Sequence, residues 1–279
     1  MLQQSSLFSL PLDFLSFGSG SSGNCYYLRY ADYAILIDLG VGVRRFLKDF
    51  SAYGCKLPHV QAALLTHDHL DHVRAAGNLS RKLHWPVYAT EKVFAGINRN
   101  PVIRNKIPQE NVRIITHGTP FTLGPFLIES FPVPHDASDN TGYFITCGDT
   151  SFCLITDIGA VTPEITRHVA RAQYLVIESN YDPDMLASGP YPFPLQQRIR
   201  GGLGHLSNPQ CAALLRQHVN PEILRGLWLC HLSQENNRPD LAALTVQQAL
   251  ADLSLQCTPI PLNRVQPTGP FKTHPQPLP

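Results

Sequence analysis

The sequence predicts an α/β protein built from two β-rich halves, each flanked by helices. Three observations carry that prediction. Short apolar runs bounded by turn residues alternate with stretches whose apolar residues recur at helical spacing. Several of those runs end directly on a histidine or an aspartate. One of them runs into Thr66-His67-Asp68-His69-Leu70-Asp71-His72, which sets three imidazoles and two carboxylates in seven residues.

Taken in order, Phe14-Leu15-Ser16-Phe17 reads as an opening strand and Cys25 to Tyr30 as the next. The glycine-rich link between them, Gly18 to Asn24, lacks the Lys-Ser/Thr ending of a P-loop and leads into a strand, so a tight turn needing positive φ is favoured over a phosphate cradle. Ser22 or Asn24 could still border a site. Ala34 to Asp38 forms a strand, and Val43, Phe46, Leu47 and Phe50 follow at helical spacing. The carboxylate of Asp38 either braces a ligand or caps a turn. A buried strand from Val60 to Thr66 delivers the seven-residue stretch, with a helix expected through Val73 to Ala76. Trp85 to Ala89 is a short strand, and Thr90 caps a helix starting at Glu91. Strands are expected over 112–115, 126–131, 143–146 and 152–156, then a helix over 161–172 and a strand over 174–177. A short basic helix carries Arg198 and Arg200, and Ser207 or Asn208 caps a helix through Leu215. The strand over 223–230 delivers His231, and the last helix spans 239–251. Residues 259–279 are proline-rich and poor in apolar periodicity, so they are expected as a loose tail beyond a domain over 1–258.

Composition excludes several classes. The formal charge of +1 gives no polybasic arm or acidic tail, so a nucleic-acid partner would have to be gripped by a local groove. Seven cysteines, odd in number and without a C-x-x-C pair, fit reduced thiols in a cytoplasm. No stretch reaches transmembrane length, and residues 1–17 lack the basic start and long apolar core of a secretory signal. A cytoplasmic protein that does not enter a membrane is expected. Nothing in the sequence speaks to oligomeric state.

The chemistry is that of a metal site. On an extended backbone, residues i and i+2 point the same way, so His67 and His69 can hold one ion, while Asp71 and His72 reach a second. His135, pinned between a proline and Asp136 at a strand end, suits a third ligand to the first ion. Asp157 ends an apolar strand, where a buried carboxylate needs a partner, and is the natural bridge between two ions. His-Leu-Ser occurs at both 205–207 and 231–233. His231 is chosen as the last ligand because it rides on a strand end, leaving His205 on a glycine-rich loop to meet substrate.

With His67-x-His69-x-Asp71-His72, His135, Asp157 and His231 in that order, the chain resembles the metallo-β-lactamase superfamily. The phrases Gly18 to Asn24, Pro134 to Ala137, Thr156 to Gly159, Glu178-Ser179-Asn180, Gly204 to Asn208 and His231 to Asn237 look like those of its bacterial YycJ/WalJ branch. The likeness covers about Leu12 to Ala251. It implies a four-layer αββα sandwich with a dinuclear site on one rim, and exonuclease action on DNA. Tyr181 departs from the pattern, where histidine would be expected.

The expected mechanism is hydrolysis of a phosphodiester with the help of two divalent ions. His67, His69 and His135 would hold one, Asp71, His72 and His231 the other, with Asp157 between them. The nitrogen-rich mixed donor set suits zinc, with manganese as the alternative. Asp71 would orient the attacking water, and His205 would protonate the leaving alkoxide or contact a phosphate. Glu178 would brace a ligand. Arg198, Arg200 and Asn24 are the expected substrate contacts, with Arg44 and Arg45 as further candidates that could equally be solvated surface. Two rival readings use the same residues. One is hydrolysis of a small ester or thioester. The other is a non-hydrolytic role, di-iron redox or metal-free binding, against which the complete ligand set argues.

Overall fold

Period-two alternation along the strands decides which side of a sheet each residue faces, and here it splits the interior into three apolar layers. The structure, a computed structural model, describes residues 11–255 and 257–273. In the first half β1 (Asp13–Gly18), β2 (Cys25–Tyr30) and β3 (Tyr33–Ile37) form an antiparallel meander. From β3 the sheet continues in parallel through β4 (Val60–Leu64), β5 (Val87–Ala89) and β6 (Val112–Ile114). The connections carry α1 (Val43–Ala52), α2 (Leu70–Val73), α3 (Ala76–Leu83) and α4 (Glu91–Arg99).

The second half repeats the plan. β7 (Phe121–Leu123), β8 (Phe126–Pro132), β9 (Thr141–Cys147) and β10 (Thr150–Ile155) are antiparallel, and β11 (Tyr174–Glu178) and β12 (Gly226–Cys230) follow in parallel. Between them run α5 (Pro163–Arg171), α6 (Pro183–Ser188), α7 (Phe193–Arg200) and α8 (Asn208–His218), and α9 (Pro239–Ala249) follows β12. Thr90 caps α4 and Ser207 caps α8, the latter with a reciprocal bond from Gln210.

The stretch expected as a loose tail is a correction. Its residues 259–273 supply β13 (Pro259–Pro261), parallel to β12, and β14 (Thr268–Lys272), antiparallel to β1. Each lies at the edge of a sheet, where proline's missing N–H breaks no ladder, so a proline-rich sequence can still pair there. The fold thus runs past 258, and residues 274–279 lie outside the described residues, as do 1–10 of the stretch read for a signal. The result is two seven-stranded sheets in the orders β14-β1-β2-β3-β4-β5-β6 and β13-β12-β11-β10-β9-β8-β7.

Alternate residues of both sheets meet in the middle. Phe14, Tyr26, Ile35 and Ile37 from one sheet pack with Tyr143, Phe152, Val176 and Trp228 from the other. The intervening residues face outward under helices: Leu36 and Ala63 under Phe46, Leu79 and Val93, and Cys153, Leu175 and Leu229 under Val169, Leu215 and Val246. This is the αββα sandwich. Each large apolar side chain sealed in it contributes about 1.5–3 kcal/mol. No helix among the described residues is long and apolar enough to cross a membrane.

Candidate metal centre

In an open sheet with parallel strands, ligands gather beyond the carboxyl ends. Asp38 follows β3, the His67–His72 stretch follows β4, His135 follows β8, Asp157 follows β10, and His231 follows β12. Asp38, Asp157 and His231 each take positive φ, 60°, 56° and 54°. That region costs an ordinary residue about 1–3 kcal/mol, and Asp and His are among the side chains found in it most often. Three buried residues with this strain mark the rim as the place where the packing serves something other than stability. Gly40 permits the close fit behind it, since a Cβ there would sit 1.5 Å from the Asp71 carbonyl oxygen.

The sheets are stitched together at this rim. The Tyr143 hydroxyl donates to the Leu65 carbonyl (2.7 Å), Thr141 N–H donates to the Thr66 carbonyl (3.0 Å), and His231 N–H donates to Ser19 Oγ (2.9 Å). Among the described residues, donor atoms within 4.8 Å of one another form four overlapping groups, His67/His69/His135, Asp71/His72/His231, His67/His72/Asp157 and Asp157/Glu178/His205/His231, of which the first two are the expected trios.

In the first trio each ring is oriented by its far nitrogen. His67 Nδ1 donates to Thr66 Oγ1 (2.9 Å) and His135 Nδ1 to the Gly204 carbonyl (3.0 Å), so both point Nε2 inward. His69 is turned round, its Nε2 donating to the Asp136 carbonyl (3.3 Å) and its Nδ1 lying 3.3 Å from His135 Nε2. Burial pushes His67 well below the usual imidazole range and lowers His135 as well, which keeps both neutral.

The second trio is set among carboxylates. His72 Nδ1 donates to Asp38 (2.7 Å), which also accepts from the amide and hydroxyl of Thr66; Asp38 therefore braces a ligand candidate. Burial disfavours charge on His72, but Asp38, Asp157 and Asp71 outweigh it and lift its pKa to about 9. His231 faces Asp71 through Nε2 (3.4 Å) and Glu178 through Nδ1 (3.1 Å), and it too is raised, burial being outweighed by Asp157, Asp71 and Glu178. Asp157 lies between the trios, 3.3 Å from His72 Nε2 and 3.6 Å from His135 Nε2. Although burial works against its charge, four surrounding histidines hold it well below the usual carboxylate range.

Glu178 is a larger hub than a brace for one ligand. It accepts from His205 (2.8 Å), His231, and the amides of Ile158 (2.8 Å) and Leu206 (3.0 Å). His205 is thereby aimed into the cavity, its side chain 20% exposed, and Glu178 overcomes burial to raise its pKa.

The cavity over the centre holds about 260 Å³. It is lined by His69, Asp71, His135, Asp157, His205 and His231, and also by Ser21, Tyr191, Leu195, Arg198 and Ile199. Arg198 is at the site, paired with Asp136. Arg200 is not part of the lining and reaches back to the Pro183 carbonyl (3.5 Å). Asn24, expected to contact substrate, is fully buried; it ties Gly20 to Asp71 and lies 2.8 Å from His72 Nε2, so it shapes the loop and no substrate can reach it. Its neighbour Ser21 takes the exposed position instead. Arg44 and Arg45 line a separate cleft with Lys48 and Val265, and Tyr181 is buried outside the lining. Sequence reasoning missed Ser19, Asp136 and Tyr191. Asp136 could have been found from its place directly after His135, but Tyr191 lies in a proline-rich link without any local signal.

These residues fit divalent cations. The inward Nε2 of His67 is buried and has no hydrogen-bond partner, a state that costs free energy unless something accepts its lone pair. Neutral imidazoles and carboxylates converging on that point are the donor set that divalent metals take.

Comparison with known proteins agrees. Residues 33–225 match the family described as the Beta-lactamase superfamily domain. The chain is 36% identical over 238 residues to exodeoxyribonuclease WalJ of Streptococcus pneumoniae, covering 85% of this chain and 87% of that protein. It is 32% identical over 243 residues to exodeoxyribonuclease YycJ of Bacillus anthracis, covering 87% and 90%. Among solved structures, the metallo-beta-lactamase fold protein YhfI from Bacillus subtilis superposes with a TM-score of 0.70 at 16% identity, over 95% of this chain and 100% of that one. Zn(2+)-bound PqqB from Methylobacterium extorquens gives 0.67 at 15% identity, over 92% and 99%. At such identities the structural likeness is one of fold. The family match and the two relatives together span the strand ends that carry the histidines and aspartates, and the chain belongs to the beta-lactamase superfamily.

Proposed function

We propose that this protein is a metal-dependent DNA exonuclease working on two divalent ions, zinc in the first instance and manganese as the alternative. The observation that carries the reading is Asp157 lying between two trios of inward-facing donors, in a chain over 30% identical to two proteins named exodeoxyribonuclease. His67, His69 and His135 would hold one ion and Asp71, His72 and His231 the other. When bound, such a pair supplies Lewis acidity and an activated water for in-line displacement at phosphorus. Asp71 borders both the second trio and the cavity, where its free oxygen can orient that water. His205, its Nδ1–H held by the Glu178 carboxylate, lines the cavity and would protonate a leaving alkoxide through Nε2. Arg198 offers the cavity a guanidinium for a phosphate oxygen. The seven cysteines are all free, in keeping with a reducing cytoplasm.

The small size of the cavity supports a second reading, hydrolysis of a small ester or thioester at the same ions. One experiment separates the two. Protein loaded with zinc or manganese is offered end-labelled duplex DNA, single-stranded DNA, RNA and thioesters, beside an Asp71→Ala variant. Release of nucleotides from DNA ends is expected, with a loss of about 10²–10⁴-fold in the variant. Thioester turnover without phosphodiester cleavage would overturn the nuclease reading, and full activity in the variant would overturn the role of Asp71.

A further inference from the structure

The α7 helix is built unlike its neighbours. None of its eight residues is buried, although Phe193, Leu195 and Ile199 are apolar, and Phe193 is 70% exposed. Short helices draw their stability from packing an apolar face, and this one is tied to the body of the protein at its C-terminal end instead. At that end the anchoring is tight. His205 N–H donates to the Ile199 carbonyl (2.9 Å), and a Cβ on Gly204 would come within 2.1 Å of the same oxygen. The Gly204 carbonyl in turn orients His135, so α7 is coupled through two residues of backbone to the metal centre.

α7 turns Leu195, Arg198 and Ile199 to the cavity, and Tyr191, in the link just before it, joins them opposite the proposed ligands. The Tyr191 ring stacks on no other aromatic and its hydroxyl makes no hydrogen bond among the described residues, unlike the aromatics of the inner core. An unpaired aromatic and two aliphatic side chains beside one guanidinium form a surface with two chemistries. It is apolar where a planar ring could lie, and cationic where an anion could bind.

We propose that Tyr191 and α7 form a subsite for a single terminal nucleotide of a DNA strand, with the base stacked on Tyr191 and packed on Leu195 and Ile199. Arg198 exchanges Asp136 for an oxygen of the adjoining phosphate. A cavity of about 260 Å³ lies below the usual range of roughly 300–1,000 Å³ for small-molecule clefts, which leaves room for no more than one nucleotide over the centre. The subsite therefore selects chain ends. This inference rests on the nuclease reading and names the contact that makes it exonucleolytic.

The test compares initial cleavage of two single-stranded oligonucleotides by the metal-loaded protein. One has ordinary ends, and the other carries a tetrahydrofuran abasic residue at each end. Tyr191→Ala is expected to lower kcat/KM on ordinary ends about 5- to 150-fold, mostly through KM, the range that alanine substitution of base-stacking aromatics gives. It should leave cleavage of abasic ends unchanged, and Tyr191→Phe should retain wild-type behaviour on both. An equal loss on both substrates would make Tyr191 a structural residue and overturn the subsite, as would unchanged kinetics on both. Wild-type protein that cleaves neither oligonucleotide would instead overturn the nuclease reading.

Discussion

The two halves of the metal centre contain the same kind of side chain in opposite electrostatic settings. His67 and His135 are buried with neutral acceptors behind them, a hydroxyl and a carbonyl, and are driven below the usual imidazole range. His72 and His231 are equally buried but are backed by Asp38 and Glu178 and faced by Asp71 and Asp157, and they are driven above it. Burial alone does not decide the protonation of a histidine; the number of carboxylates in reach does. His67 and His135 are therefore ready to donate lone pairs at neutral pH, whereas His72 and His231 hold protons that a cation must displace. Oxygen from Asp71 also makes the second trio the harder of the two.

Substitutions can break this contrast, beginning with the residue both halves share. Asp157→Ala should cost the most, removing the proposed bridge and lowering hydrolysis by about a thousandfold or more, with metal content falling in both proposed positions. Retention of two ions per chain by elemental analysis would show that the trios are independent. His231→Ala should be next: it removes one proposed ligand of the second trio only, leaving about one ion bound and activity down by roughly two orders of magnitude. Loss of both ions from that variant would contradict a first trio able to stand by itself. Asp38→Asn touches no ion but weakens the hold on His72, and metal affinity should drop about 10–100-fold, as for other residues that orient a ligand. Unchanged affinity in a chelator competition would mean that Asp38 merely ends its turn.

The smallest effect sharpens the comparison with a third kind of histidine. His168 is buried away from the rim, donates Nδ1–H to the Glu164 carbonyl (2.7 Å) and stacks on Phe131 with ring centroids 3.9 Å apart. Burial lowers its pKa. A depressed histidine contributes stability that is fully present above the unfolded value near 6.5 and is lost as pH falls through the folded value. His168→Phe keeps the stack and removes the titration, so its Tm should fall less steeply than wild type between about pH 7 and 5. Parallel slopes would assign the acid sensitivity elsewhere.

Much of the site was legible because its residues sit where a local pattern ends. His67, His69, Asp71 and His72 are contiguous, and His135, Asp157 and His231 each follow a recognisable apolar run. The structure brings these seven together at one rim. Asn24 was misjudged because the sequence shows a polar residue beside glycines but not the depth at which it lies. The strands of residues 259–273 were missed because proline reads as a breaker, and only the partner strand reveals that the position is an edge.

By itself the sequence determined the alternation of strands and helices, the donor types and their order along the chain, since periodicity and residue chemistry are local properties. Tertiary structure alone decided which nitrogen of each ring faces inward, which carboxylate backs which histidine, and that α7 overlooks the centre. Those choices depend on contacts such as Ser19 with His231, 212 residues apart, and no local pattern carries information about a partner that distant.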